Sequence, residues 1–134
     1  MKLAALRLMA VPLAFALSFG PGLPARAAGF VNTKDGWMAL TPEAKAAYVQ
    51  GLNDSLNYVF ADDTLANALA KKGRTECLIA QQTNSSLLAD RITMAYQDSR
   101  FAGAAPTAIY IIKMGEQCRA YINKERASFG LGPI

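Results

Sequence analysis

Cys77 and Cys118 are the residues of this chain whose type most clearly predicts chemistry. The chain contains no histidine, which excludes serine–histidine and cysteine–histidine nucleophile pairs, imidazole metal ligands and histidine pH switches. Two isolated thiols without histidine also do not complete a usual metal coordination shell. The two cysteines are therefore expected either to form a disulfide bond or to remain as two buried free thiols.

Carboxylates are the remaining groups that could perform acid–base chemistry. Asp62 and Asp63 are adjacent, but they stand where acidic residues cap a helix N-terminus, and this role accounts for both. The chain has no glycine-rich phosphate loop, paired-cysteine metal pattern or nucleophile elbow. We therefore predict no catalytic residue, no cofactor, no metal site and no enzymatic activity; a hydrolase that uses carboxylates alone is the alternative.

Residues 1–27 have the layout of a secretory signal peptide. Lys2 and Arg7 form a basic start, an apolar run of about 12 residues follows, and the small residues Ala25 and Ala27 flank Arg26 at the expected cleavage site. The apolar run is shorter than the ~20 residues that cross a hydrocarbon core. We predict export to the periplasm through a cleaved leader, with no stable membrane insertion afterwards; an uncleaved anchor is the alternative.

Export changes how the charge and the cysteines are interpreted. Removal of Lys2, Arg7 and Arg26 with the leader reduces the net charge from +4 to +1, so a nucleic-acid partner has little electrostatic support and is not predicted. In an oxidising compartment an even pair of cysteines favours the disulfide. In the chain-entropy model, closing a loop of some 40 residues stabilises the fold by roughly 3–4 kcal/mol.

The mature chain is predicted to be all-α, because cap-forming residues and prolines precede segments with helical apolar spacing. We expect a small bundle of three to four helices stapled by one disulfide, with helices over 42–60, 64–70, 87–96 and from 106 onward. The predicted domains are the signal peptide 1–27, an irregular lead-in 28–40, a helical domain 41–127 and a flexible tail 128–134. The residues expected to face the core are Trp37, Tyr48, Leu52, Leu56, Val59 or Phe60, Leu88, Ile92, Ala95, Tyr96, Ile111, Met114, Cys118 and Tyr121 or Ile122.

A glycine interrupts the first predicted helix in the stretch AAYVQGLNDSLNYVF. Gly51 costs such a helix about 1 kcal/mol relative to alanine. Ala47, Gly51 and Ser55 recur at i, i+4 and i+8, so three small side chains form one row along which a second helix could approach closely. We predict Gly51 to be a packing residue, with a solvent-facing glycine as the alternative, and Gly73 to end the second helix.

The order of these features resembles the Tai/Rap immunity family of small periplasmic proteins, which are similar in size and architecture to the HdeA acid-stress chaperones. The resemblance covers residues 45–120, through the segments YVQGLNDSLNYV, ECLIAQQTNSSLLADRITMAYQD and MGEQC. The residues that carry it are Tyr48, Gly51, Cys77, Leu88, Tyr96, Pro106 and Cys118. It implies a helical, disulfide-containing protein that occludes the active site of a cell-wall-degrading effector.

The predicted function is accordingly that of a non-enzymatic exported binding protein with a protein partner. The immunity type is the leading hypothesis, and its partner would be an effector. A periplasmic acid-stress chaperone of the HdeA type, which binds client proteins, is one alternative. A small accessory subunit of an envelope complex is the other.

Overall fold

Side-chain caps set where the helices of this protein begin. Thr33, Thr41, Thr64 and Asn84 each accept a hydrogen bond from a backbone N–H group in the first turn of the helix that follows. Each cap satisfies a donor that has no partner within its helix. Pro106 opens the last helix instead, because its ring fixes a helical φ angle.

The structure, a computed structural model, describes residues 30–134. The predicted signal peptide lies outside the described residues. Within them the helices are α1 (Lys34–Met38), α2 (Pro42–Asn57), α3 (Leu65–Ala80), α4 (Ser85–Ala95) and α5 (Pro106–Ala127). A single 3-10 turn at Ser99–Phe101 precedes α5. This part of the chain is all-helical, as predicted, with five α-helices rather than three or four. None of these five has both the length and the apolar composition needed to cross a membrane.

The additional helix, α1, lies in the lead-in that the sequence predicts to be irregular. The Thr33 hydroxyl accepts a hydrogen bond from the Gly36 N–H group at 3.1 Å. Trp37 is fully buried, and its Nε1–H donates to the Thr93 hydroxyl of α4 at 3.0 Å. The prediction of a core tryptophan is confirmed, whereas the prediction of an irregular segment is wrong because five residues are too few to show a helical period.

The helix predicted over 64–70 is one part of the longer α3, which continues through Gly73 to Ala80. Its N-cap is Thr64, whose hydroxyl accepts a hydrogen bond from the Asn67 N–H group at 3.3 Å. The predicted capping of this helix by Asp62 or Asp63 is therefore wrong. The predicted helix end at Gly73 is wrong. This glycine sits in the middle of the helix because it allows α5 to approach.

The most extensive contact between helices joins α3 and α5. Cys77 and Cys118 form the predicted disulfide, with their Cα atoms 5.5 Å apart and both residues fully buried. One turn earlier in α3, an ideal Cβ atom on Gly73 would lie only 2.6 Å from the Cα atom of Ile122. The two helices therefore touch backbone to backbone beside the disulfide, and Gly73 is the packing glycine of this fold.

The main core lies where α2 and α4 pack together and meet α5. Its fully or nearly buried members are Trp37, Val49, Leu78, Leu88, Ala89, Ile92, Ala95, Tyr96, Ile109, Tyr110 and Met114. Leu88, Ile92, Ala95 and Tyr96 were expected on this face of α4, and the structure confirms them. Ile111 is 46% exposed, so its predicted core position is wrong.

The row of small residues on α2 does not pack against another helix. Ala47, Gly51 and Ser55 are all exposed, and an ideal Cβ atom on Gly51 meets nothing within 4 Å. Helix α2 instead turns Val49, which is fully buried, toward the core. The predicted close helix packing at this row is wrong, because helical spacing identifies a row of residues without determining which row a neighbouring helix covers.

Candidate binding surface

The segment between α2 and α3, together with the first residue of α3, exposes four large apolar side chains. Tyr58 is 63% exposed, Val59 49%, Phe60 51% and Leu65 51%. We call these four residues the apolar loop cluster. An exposed group of large apolar side chains is typical of a surface that binds another molecule, because leaving it in water is unfavourable.

The carboxylate of Asp63, which is largely buried, orders this loop. The Asp63 carboxylate accepts a hydrogen bond from the backbone N–H group of Phe60 at 2.7 Å. The same carboxylate receives the Lys71 ammonium group of α3, with oxygen–nitrogen distances of 2.6 and 2.9 Å. The Lys71 nitrogen also lies 4.8 Å from the centre of the Phe60 ring, within reach of a cation–π interaction. Asp63 and Lys71 thus hold both the backbone and the side chain of Phe60 in place.

The two aromatic rings of the cluster also support each other. The centroids of the Tyr58 and Phe60 rings are 4.9 Å apart and the rings meet at 66°, which is the edge-to-face arrangement that aromatic pairs favour. Rings fixed in this way lose little conformational entropy when they bind. The loop is therefore preorganised for contact.

Arg74 of α3 binds the end of α2, where the loop begins. Its Nη2 donates to the carbonyl oxygen of Leu56 at 2.7 Å, and its Nε donates to the side-chain oxygen of Asn57 at 2.8 Å. The last carbonyls of a helix lack partners within the helix and carry partial negative charge, so a guanidinium group stabilises them. Tyr58 then takes an extended conformation and leaves the helix.

The electrostatics of the loop keep the Asp63–Lys71 contact intact at neutral pH. The hydrogen bond from Lys71 lowers the pKa of Asp63, and the bond from the Phe60 N–H group lowers it further. The carboxylate therefore stays ionised across the neutral range. Asp62 is exposed beside it, and within residues 30–134 it forms no ion pair.

The C-terminal tail lies at the same end of the bundle as the loop. Residue pairs Cys77–Cys118 and Lys72–Glu125 show that α3 and α5 are antiparallel, so the end of α5 lies near the start of α3. Phe129, just after α5, is 58% exposed. The sequence predicts a flexible tail over 128–134. In the structure Arg126 Nε donates to the carbonyl oxygen of Gly132 at 2.7 Å and the Ile134 N–H group donates to Asn123 Oδ1 at 2.9 Å, so the tail folds back along α5.

The helical spacing in the sequence predicts, incorrectly, that part of this surface is buried. Helical spacing from Tyr48 through Leu56 extends to Val59 and Phe60, which predicts a buried stripe over 42–60. The helix stops at Asn57, and contacts from outside α2 support this end: Arg74 donates to the Leu56 carbonyl oxygen, and Asp63 accepts from the N–H group of Phe60 in the loop. The prediction that Val59 or Phe60 is buried is wrong, and both contribute to the exposed cluster.

Of the residues predicted to matter for function or packing, only the cysteines are brought together. Cys77 and Cys118 join α3 to α5, whereas Ala47, Gly51 and Ser55 face solvent. Among residues 30–134, no three carboxylate or thiol side chains lie close enough to hold a metal ion. Comparisons of the chain with models of protein families, with curated proteins and with solved structures give no match.

Proposed function

We propose that this protein is a non-enzymatic exported binding protein of the immunity type, which inhibits a cell-wall-degrading effector by occluding its active site. The observation that carries this proposal is the apolar loop cluster, which is exposed although Asp63 and Lys71 hold its residue Phe60 in place. The resemblance to the Tai/Rap family supplies the class of partner. The cluster supplies the surface that would bind it.

The size of the cluster fits a binding hot spot. Interfaces derive most of their affinity from a few aromatic and other large side chains that become fully desolvated. Burying the exposed half of one aromatic ring, near 100 Å² of apolar area, contributes about 2–3 kcal/mol. Tyr58 and Phe60 therefore fit the role of hot-spot residues, and the contacts that order their rings limit the entropic cost of binding.

The carboxylates support a binding role over acid–base catalysis. Hydrogen bonds and nearby cations lower the pKa values of Asp63, Asp98 and Glu125, that of Asp98 to about 2. A carboxyl group that acts as a general acid near neutral pH needs a raised pKa. These three groups are instead arranged as ionised partners of Lys71, Arg100 and Lys72.

A binding assay with cell-wall amidase effectors encoded near this gene tests the proposal. We expect a complex with one effector, inhibition of its activity, and loss of affinity by 30-fold or more in Phe60→Ser. Met94→Ser is the matched control, because Met94 is 64% exposed on α4 and away from the cluster; it should change the affinity by less than twofold. Absence of any effector complex, or equal losses in the two variants, would refute the proposal.

A second candidate function, acid-stress chaperone activity, is favoured by one ion pair. Glu125 of α5 is 6% exposed and lies 2.6 Å from the Lys72 ammonium group of α3, which also approaches Glu76 at 3.6 Å. Protonation of Glu125 in strong acid removes this contact between the two helices, while the disulfide keeps them linked. A dye-binding titration that shows the same compact state from about pH 7 to pH 2 excludes this candidate.

A further inference from the structure

A polar cleft lies beside the apolar loop cluster and has no role in the function proposed above. Its volume is about 400 Å³, and it is bounded by α2, the end of α3 and the start of α4. Volumes of this size suit small ligands or short peptide segments. Five carboxamide side chains line it, from Gln50, Asn53, Asn57, Gln82 and Asn84, together with three hydroxyl side chains.

None of the residues that line the cleft is charged. Arg74 contacts the cleft through Asn57, but its Nε and Nη2 groups donate to Asn57 Oδ1 and to the Leu56 carbonyl oxygen, so these donors are already used within the protein. A charged ligand would lose its hydration without meeting a counter-charge among the residues that line the cleft. The cleft therefore suits an uncharged ligand that forms hydrogen bonds.

The carboxamides of α2 present a donor and an acceptor next to each other. Asn53 Oδ1 accepts from the Tyr110 hydroxyl at 2.8 Å and from Asn57 Nδ2 at 2.7 Å, which fixes this amide and leaves its NH2 group available. Gln50 donates its Nε2 to Asp54 at 2.9 Å, which leaves its Oε1 available. One turn of helix thus offers the complement of a peptide group, which has one N–H donor and one C=O acceptor.

Gln82 faces this pair from the turn between α3 and α4. Its φ angle of 48° lies in the left-handed region, which costs free energy for a residue other than glycine. The turn is closed by hydrogen bonds from the N–H groups of Gln82 and Thr83 to the carbonyl oxygens of Ile79 and Leu78, both at 3.0 Å. The side-chain amide of Gln82 forms no hydrogen bond within residues 30–134, so it is available to a ligand.

The apolar part of the lining distinguishes a peptide from a saccharide. Leu78 and Leu88 form a buried floor, and Ile79 stands at the rim with 72% of its surface exposed. No aromatic side chain lines the cleft, so a sugar ring finds no ring face to stack on. In an extended peptide, successive side chains point to opposite sides, so one side chain can reach the aliphatic floor while the main chain meets the carboxamides.

We propose that the cleft binds an extended, uncharged segment of polypeptide through its main chain. Where an extended peptide pairs with a sheet edge, main-chain hydrogen bonds give affinity and pockets for alternate side chains give specificity; here side-chain carboxamides take the place of that edge. The cleft residue Asn57 is followed directly by Tyr58 of the apolar loop cluster. Assignment of the segment to the effector rests on the proposed function, since one partner could then cover both surfaces.

Selection from a phage-displayed library of random 12-residue peptides, using the folded, disulfide-bonded protein, tests the proposal. The dissociation constants of the selected peptides are measured by fluorescence anisotropy, and their site is mapped from the NMR signals of the side-chain amides. The test variant combines Gln50→Ala with Gln82→Gly, because glycine accepts the left-handed conformation without strain. Gln97→Ala is the matched control, since Gln97 is an exposed glutamine outside the cleft.

We expect peptides with uncharged central residues, shifts of the amide signals of Asn53 and Asn57, and binding at least tenfold weaker in the double variant. The control should stay within twofold. Failure to recover a peptide that binds in the cleft, or equal binding by the double variant, overturns the proposal. Cleft shifts caused by N,N′-diacetylchitobiose but by no peptide overturn it in favour of a saccharide.

Measurements on Phe60→Ser separate this result from the test of the proposed function. The library contains no effector, and Phe60 does not line the cleft, so selected peptides should bind this variant with unchanged affinity. Peptide binding without any effector complex refutes the immunity function and leaves the cleft proposal standing. An effector complex without peptide binding does the reverse.

Discussion

Two glycines in the middle of helices should respond to the same substitution in opposite directions. At Gly73 in α3, an added Cβ atom would lie 2.6 Å from Ile122 Cα, 2.8 Å from Ile122 N and 3.0 Å from the Tyr121 carbonyl carbon. At Gly51 in α2, an added Cβ atom meets nothing within 4 Å. Gly73→Ala should therefore destabilise the protein, and Gly51→Ala should stabilise it.

The magnitudes follow from the neighbours of each site. Carbon atoms pack at about 3.5–4.0 Å, so α3 and α5 must separate by about 1 Å at Gly73, and the backbone of α5 cannot rotate away as a side chain could. The disulfide one turn along resists this separation. Overpacking of this kind costs about 3 kcal/mol, and the better helix propensity of alanine offsets about 1 kcal/mol of it. The net expectation is a loss of about 2 kcal/mol for Gly73→Ala and a gain of about 1 kcal/mol for Gly51→Ala.

Urea unfolding followed by circular dichroism and by the fluorescence of the buried Trp37 measures both effects. The slope of the unfolding free energy against urea should be the same in all variants, because the surface exposed on unfolding is unchanged. A difference of about 3 kcal/mol between the variants corresponds to a factor of more than 100 in the unfolding equilibrium constant. Gly73→Ala with wild-type stability would refute the close contact of α3 and α5. A loss of stability in Gly51→Ala would show that its row is covered after all.

Three further predictions concern covalent, ionic and packing contacts. Replacing Cys77 and Cys118 by alanine should lower the free energy of unfolding by about 4 kcal/mol for a 41-residue separation, and a loss below about 1 kcal/mol in urea unfolding contradicts the entropic argument. The hydrogen bond from Lys72 lowers the pKa of Glu125 in the folded protein. The stabilisation by this group is therefore present above the unfolded-state pKa of about 4.3 and is lost as the pH falls through the lower folded-state pKa. The urea midpoint should be equal at pH 7 and pH 5.5 and lower at pH 3, and the decrease at pH 3 should be smaller in Glu125→Gln. Trp37→Phe removes the indole hydrogen bond to α4 and leaves unfilled volume, so it should cost about 2 kcal/mol; an unchanged thermal midpoint contradicts the packing of α1 on the core.

Local signals in the sequence predicted most of the helices and the disulfide. The threonine before Pro42, the cap-forming segment that contains Asn84, and Pro106 mark helix starts that the structure confirms. These signals succeed because a cap acts between residues three or four apart in the chain. Local signals did not predict where α2 ends. This end is supported by Arg74 and by the loop carboxylate that follows the helix, and the helical apolar period runs on past Asn57 without a break.

The sequence also contains a pattern that identifies Gly73 as the packing glycine, although the row of small residues at Gly51 predicts a different one. Leu69, Gly73 and Cys77 recur at i, i+4 and i+8 on α3, and all three are buried. A cysteine expected to form a disulfide must face its partner helix, so the glycine one turn before it faces that helix as well. Gly51 has no such neighbour.

The sequence by itself predicted the helical character of residues 30–134, the starts of three of their helices and the disulfide as the favoured state of the two cysteines, and its lack of histidine excluded histidine chemistry. Only the tertiary structure decided which glycine packs, how far α3 extends, and that Tyr58 and Phe60 stand exposed beside a cleft of uncharged amides. The physical reason is the range of the interactions involved. Helix caps and turn propensities act within a few residues of each other, whereas burial and the contacts of Arg74 and Lys71 depend on which helix faces come together, and no single local pattern specifies that.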